Sequence, residues 1–198
     1  MRQIDYLLIG HITRDLTPAG AVLGGTASYA TRTAQALGLR VGIVTSAQEG
    51  EPLLSRLHVA KADLVCLPAP STTTFTNQYL DGRRRQILSA RALPITAQDV
   101  PPAWTRTPIV HLGPVAAEID PGLAGHFPGT FVGLTPQGCL RRWDARGVVS
   151  FNPWASAPTA LPRASAVVLS IEDLQSDQGQ IDAYARWARL LAVTRGRD

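Results

Sequence analysis

The sequence predicts an α/β fold organised on a mostly parallel sheet flanked by helices, and three observations predict it. Seven short apolar runs, at residues 4–10, 41–45, 64–67, 109–113, 131–134, 166–170 and 190–194, are each bounded by turn-forming residues. Their apolar character is continuous, the pattern of strands in a parallel sheet covered on both faces. Helix-like segments alternate with them, the connectivity that parallel neighbours require.

The elements follow in chain order. Tyr6-Leu7-Leu8-Ile9-Gly10 reads as the first buried strand. Ala27, Ala30, Ala34 and Leu37 then recur at helical spacing, and Gly38 stands where a C-terminal cap belongs. One segment breaks the rhythm: residues 72–80 are rich in β-formers but polar, Asp81-Gly82 follows, and residues 83–90 resume a strand-like pattern. Asp-Gly between two such runs is a hairpin signature. Strands this polar do not suit a doubly covered sheet, so residues 72–90, with lid strands also around 12–23, read as a small antiparallel β flap. The flap is either a lid over a site or a structural edge. Ile181, Tyr184, Ala185, Ala188 and Leu191 form a second helical stripe. The last strand runs straight into Arg195-Gly196-Arg197-Asp198. It either lies at an edge or belongs to a chain that continues.

Composition narrows the function classes. A chain of 198 residues with 45% hydrophobic content supports one domain, residues 1–198. The net charge of +4, from 19 basic and 15 acidic residues, is spread along the chain. Arg83-Arg84-Arg85 and Arg141-Arg142 are its basic clusters, without the aromatic or zinc-finger patterns of a nucleic-acid binder. Cys66 and Cys139 are too few for a disulfide framework and read as buried thiols of a reducing compartment. His11, His58, His111 and His126 lack metal-ligand spacing and read as structural. No apolar stretch approaches the roughly 20 residues of a membrane span, and Asp5 interrupts the first run. The expectation is a cytoplasmic protein without membrane or nucleic-acid partners.

The densest functional pattern is Leu23-Gly24-Gly25-Thr26-Ala27-Ser28-Tyr29-Ala30, preceded by Asp15. Two glycines at a helix entrance let a ligand approach the backbone, and the helix offers unpaired N–H groups. A tight turn that merely packs is the alternative. Asp15 falls beyond the carboxyl end of the first strand, where open α/β sheets place ligands. Its carboxylate suits a polyol's hydroxyls, or else caps a helix or is a solvated loop charge. Glu172-Asp173 either sits near a metal or phosphate or forms the acidic first turn of a helix. No phosphate loop, dinucleotide fingerprint or nucleophile elbow occurs.

Taken in order, the first strand, Gly10, Asp15, Gly24-Gly25, the alanine-rich helix, Ala36-Leu37-Gly38 and Val41-Gly42-Ile43-Val44-Thr45 resemble the start of the ribokinase-like (PfkB-type) carbohydrate kinases. The flap, the strand at 109–113, the segment Ala166 to Leu174 and Val193-Thr194-Arg195-Gly196 extend the resemblance over nearly the whole chain. It implies a ribokinase-like fold in which Asp15 binds substrate hydroxyls, Gly24 and Gly25 let the substrate lie on the backbone, and Thr74 and Thr76 close over it. It implies ATP with Mg²⁺ as donor, with Glu172, Asp173, Thr194 and Gly196 on the nucleotide side. Tyr29 stands where the family usually has Asn, and the Gly-Gly-Thr-Ala-Ser-Tyr form is similar to the inositol-kinase-like branch.

The family's Gly-Ala-Gly-Asp segment, whose Asp activates the acceptor hydroxyl, does not occur in these residues. The expectation is therefore the acceptor-binding part of a kinase acting on a sugar, polyol or nucleoside-like hydroxyl. The C-terminal portion is missing and this chain by itself is inactive. A non-catalytic sugar- or polyol-binding module, or pseudoenzyme, is the rival. Exposed flap edges also allow a homodimer.

Overall fold

The structure, a computed structural model, describes residues 2–59, 62–80 and 83–196. The predicted Asp81-Gly82 turn lies outside the described residues, as do Arg197 and Asp198. In chain order the strands and helices are β1 (Tyr6–Ile9), β2 (Thr13–Thr17), β3 (Gly20–Gly24), α1 (Thr26–Ala36), β4 (Val41–Gln48), α2 (Ser55–Val59), β5 (Asp63–Ala69), β6 (Thr74–Leu80) and β7 (Arg83–Ala90). They continue with β8 (Ile109–Leu112), β9 (Phe131–Leu134), β10 (Arg141–Trp143), β11 (Val149–Phe151), α3 (Ala157–Ala160), β12 (Ala166–Ser170), α4 (Gln178–Trp187) and β13 (Leu191–Thr194). All seven predicted core strands form.

These seven make one parallel sheet in the order β13-β12-β9-β8-β1-β4-β5. From β1 the chain steps outward through β4 and β5, then returns to β8 on the other side of β1 and proceeds to β13. The strand order therefore reverses between β1 and β8, and a crevice opens at their carboxyl ends.

Alternate residues feed two apolar clusters, as the period of two requires. Leu7, Ile9, Val44, Val110, Leu112, Val132, Leu134, Val167 and Leu169 face the larger one, closed by Trp104, Phe127, Trp154, Leu161 and Ile181. Leu8, Val41, Ile43 and Ala47 face the smaller one, closed by Ala27 and Ala34 of α1 and Leu57 of α2. The expectation of two covered faces fails at one end. Phe131, Val168 and Leu190 are 51%, 40% and 54% exposed, because α1 and α2 lie over β1 and β4 and do not reach β9, β12 and β13. The second helical stripe is also shorter than predicted. Trp187 ends α4, Ala188 is extended, and Leu191 begins β13.

The flap forms from the predicted segments. Its order is β3-β2-β6-β7: two antiparallel hairpins joined through parallel pairing of β2 with β6. Buried polar groups root it in the sheet. Glu51, its side chain fully buried, accepts from Arg14 Nη2 at 2.6 Å, Thr72 Oγ1 at 2.7 Å and Leu53 N–H at 3.2 Å. Burial pushes the Glu51 carboxyl up, but these donors outweigh it and hold the pKa below the ordinary value. His11 Nε2–H donates to Leu93 O at 2.8 Å, while Nδ1 accepts from Thr73 Oγ1 at 2.7 Å. A hairpin that the sequence reading did not foresee, β10–β11, clamps the flap from the other side. Leu88 N–H donates to Gly147 O at 2.8 Å, and Trp143 and Val149 pack on Phe75, Leu88, Val115 and Ala116.

Candidate functional site

A cavity of about 460 Å³ lies at the crevice where the strand order reverses, under the flap. Asp15 of β2 and the start of α1 supply one wall. Thr13 Oγ1 donates to Asp15 Oδ1 at 2.8 Å. Gly24, paired with Thr13 across β2–β3, is small for a reason: a Cβ there would collide with Asp15 Oδ2 and fall 2.6 Å from Thr13 Oγ1. Gly25 caps α1 at φ +82°, and a Cβ there would sit 2.7 Å from His11 O. The helix then presents Thr26, Tyr29, Ala30 and Thr33, one face at helical spacing, to the cavity. Tyr29 is 66% exposed and stands at the mouth. The structure thus brings Asp15, Gly25 and Tyr29 together, with Gly24 making room for the carboxylate.

The flap residues differ from expectation by one position. Asp15 pairs with Phe75, whereas Arg14 and Leu16 pair with Thr74 and Thr76. Register partners share a face, so Phe75 accompanies Asp15 into the cavity and the two threonines face away. Thr74 Oγ1 donates to Thr72 O at 2.8 Å, and Thr76 lines a separate hollow with Leu16, Pro18 and Gln78. From β7, Gln86 faces Asn77 and completes the roof.

The sheet supplies the floor. His111 of β8 lies between Tyr6 Oη, 2.5 Å from Nδ1, and Thr135 Oγ1, 3.0 Å from Nε2. Burial lowers its pKa to about 4 and raises that of the Tyr6 phenol, so the imidazole is neutral at pH 7. Val115, Gln137 and Arg141 close the far side. Arg141 Nη1 donates to Val115 O at 3.0 Å, and its guanidinium stacks 5.5 Å from the Phe75 ring centre. Gln137 Nε2 donates to Asp173 Oδ1 at 3.1 Å. Sequence reading missed Phe75, Gln86, Gln137 and Arg141 as site residues and took His111 as structural only. Arg141 carried a weak signal as half of a basic pair.

The residues expected on the nucleotide side lie at the carboxyl ends of the neighbouring strands β12 and β13. Asp173 is occupied in capping: its Oδ2 accepts from Ser170 N–H at 3.1 Å, beside the Gln137 bond to Oδ1. This is the helical-turn alternative for Glu172-Asp173. Thr194 Oγ1 donates to Leu169 O at 3.4 Å, and Gly196 follows in a turn. Among the described residues, no three His, Cys, Asp or Glu side chains converge to hold a metal ion. No helix among them is long and apolar enough to cross a membrane.

No protein-family model matches the chain, and no curated protein sequence does. Solved structures do match. A pyrophosphate-dependent kinase of the ribokinase family, complexed with a pyrophosphate analogue and myo-inositol, aligns with a TM-score of 0.81 at 20% identity, over 96% of this chain and 73% of that one. Fructokinase from Vibrio cholerae O395 aligns with a TM-score of 0.63 at 16% identity, over 97% and 75%. The Burkholderia thailandensis nucleoside kinase in complex with inosine aligns with a TM-score of 0.65 at 14% identity, over 96% and 70%. Backbone agreement over nearly all of this chain, at identities this low, is agreement of fold: the chain has the ribokinase-like fold.

Proposed function

We propose that this chain is the acceptor-binding part of a kinase that phosphorylates a hydroxyl of a sugar, polyol or nucleoside-like molecule. The observation that carries the reading is Asp15, held by Thr13 and admitted by Gly24, facing the cavity at the strand-order reversal. A carboxylate there accepts charge-assisted hydrogen bonds from acceptor hydroxyls. The Gly25 backbone and Thr26 border the same space, and Phe75 and Gln86 roof it, excluding water from the bound hydroxyl. Tyr29 at the mouth narrows the range of acceptors. The myo-inositol and inosine bound by two of the structural neighbours support a polyhydroxylated ligand of this size.

ATP with Mg²⁺ is the donor implied by the family resemblance. Pyrophosphate is the alternative raised by the first of those neighbours. Because these residues contain no Gly-Ala-Gly-Asp segment, the chain by itself binds the acceptor and does not transfer phosphate to it. Calorimetric titration with myo-inositol, fructose and inosine tests the binding, and Asp15→Asn should weaken the best ligand at least about tenfold. Absence of binding to every such ligand overturns the acceptor reading. Phosphorylated product formed from ATP and Mg²⁺, or from pyrophosphate, overturns the claim of inactivity alone.

A further inference from the structure

His11 joins the flap to the walls of the acceptor cavity, yet it does not line that cavity. Neither His11 nor Thr73 is among the described residues that border the space, and both are fully buried. The His11 backbone packs on Gly25 at the entrance of α1, and its N–H donates to Glu118 Oε1 at 3.0 Å. The same carboxylate accepts from Val115 N–H at 2.9 Å and Ala116 N–H at 2.7 Å, which fixes the turn that brings Val115 to the cavity. The His11 ring faces the flap instead. It bonds Thr73, two residues before the roof residue Phe75, and Leu93, beyond the strand that carries Gln86. Wall and roof therefore meet at one imidazole.

The hydrogen bonds fit one protonation state of that ring. Leu93 O can only accept, so Nε2 carries the hydrogen. Thr73 Oγ1 accepts from Ala92 N–H at 3.0 Å and directs its own hydrogen at Nδ1, which is bare. Thr73 is held by its backbone too, because its O accepts from Arg14 N–H at 2.8 Å. The charged groups acting on the ring are Glu118 from after β8 and Arg91 from after β7, while the Glu51–Arg14 pair reaches Thr72 beside Thr73. Burial outweighs the pull of Glu118 and, with Arg91, keeps the ring neutral at pH 7. A proton on Nδ1 would face the Thr73 hydroxyl hydrogen and turn it away, into surroundings closed to water.

We infer that His11 is a positioning residue that locks the flap roof over the acceptor cavity, the lock being the Thr73 hydroxyl on its Nδ1. The inference rests on the acceptor reading above. An acceptor held between Asp15 on one wall and Phe75 and Gln86 in the roof binds tightly only while the roof stays in place. Protonation of a ring that never touches the ligand therefore weakens the ligand. By linkage, the bound ligand makes that ring harder to protonate.

The test uses the 198-residue protein with isotope-labelled histidine, nitrogen NMR and calorimetry. The probe is whichever of myo-inositol, fructose and inosine binds most tightly. At pH 7 the His11 signals should show a bare Nδ1 and a protonated Nε2. As pH is lowered, saturating probe should shift the His11 titration to lower pH, by about one pH unit for each tenfold loss of affinity on protonation. His111 is resolved separately, because contact with the ligand would shift it on any reading. Thr73→Val keeps the shape of the side chain and removes the hydroxyl; it should weaken the probe at least about tenfold, whereas Thr73→Ser should stay within about twofold. A merely structural His11 would leave its titration unmoved by ligand. Binding with an unmoved His11 titration, or equal affinity in a folded Thr73→Val protein, overturns this inference alone. If Thr73→Val does not fold, the His11 titration of the unaltered protein decides it. Failure of all three probes to bind overturns the acceptor reading and this inference with it.

Discussion

Gly24 and Asp15 are coupled through space that a single methyl group would fill. Gly24→Ala places a Cβ against the Asp15 carboxylate, whose other oxygen accepts a hydrogen bond from Thr13. The carboxylate must rotate away, so acceptor affinity should drop at least about tenfold, comparable to Asp15→Asn; equal affinity in calorimetry would show that Asp15 does not hold the ligand. His111 makes a different prediction. Folded, it takes up its proton near pH 4 because burial disfavours the charge, whereas its ordinary pKa is 6.5. Between those values the unfolded chain binds more protons, so stability is full above about pH 6.5 and declines as pH falls towards about 4. His11, also lowered by burial, adds to the same slope. Asp5, which hydrogen bonds from the Arg40 side chain hold to about 2, stays charged across this window. Thermal melts from pH 7 to pH 4 should show the decline, and His111→Gln should flatten it.

At the scale of elements, the flap depends on Glu51 more than on its own strands. One buried carboxylate ties β2, the approach to β6 and the turn after β4. Glu51→Ala strands the Arg14 guanidinium and the Thr72 hydroxyl, and should cost about 2 kcal/mol in urea unfolding, below the full value of a buried pair because Arg14 is partly exposed. Amide exchange should accelerate first in β6 and β7. A loss confined to the main sheet would contradict this account of how the flap is rooted. The flap also shows where sequence reading stops. Its polar β-formers are legible, but the family resemblance implies Thr74 and Thr76 as the residues that close over the substrate, and the register of β6 on β2 turns Phe75 inward instead. No local pattern sets that parity.

Across the molecule, one face of the sheet is covered more completely than the other. Val167 and Val168 are neighbours on β12 with 0% and 40% exposure. Val167→Thr buries a hydroxyl in the larger core and should cost at least about 1 kcal/mol, whereas Val168→Thr should stay within about 0.5 kcal/mol. Equal costs in urea unfolding would mean that something covers the second face in solution. The uncovered patch of Phe131, Val168 and Leu190 was not legible because these residues sit in runs as apolar as any buried strand.

By itself the sequence determined the α/β class, the seven core strands, α1 with its glycine entrance, and the placing of Asp15 beyond the carboxyl end of the first strand. These are local matters, since apolar runs, helical spacing and paired glycines act over a few residues. Only the tertiary structure decided which residues share the cavity, because Phe75, Gln86, His111, Gln137 and Arg141 come from β6, β7, β8, the turn before β10 and the start of β10, and meet only when strand order reverses at β1. Pairing register decided which side chains point inward, and the reach of α1 and α2 decided which apolar residues stay exposed. The Gly24-Gly25 entrance was readable as a place where a ligand approaches; that Gly24 is small chiefly to admit Asp15 became visible only when β2 and β3 paired.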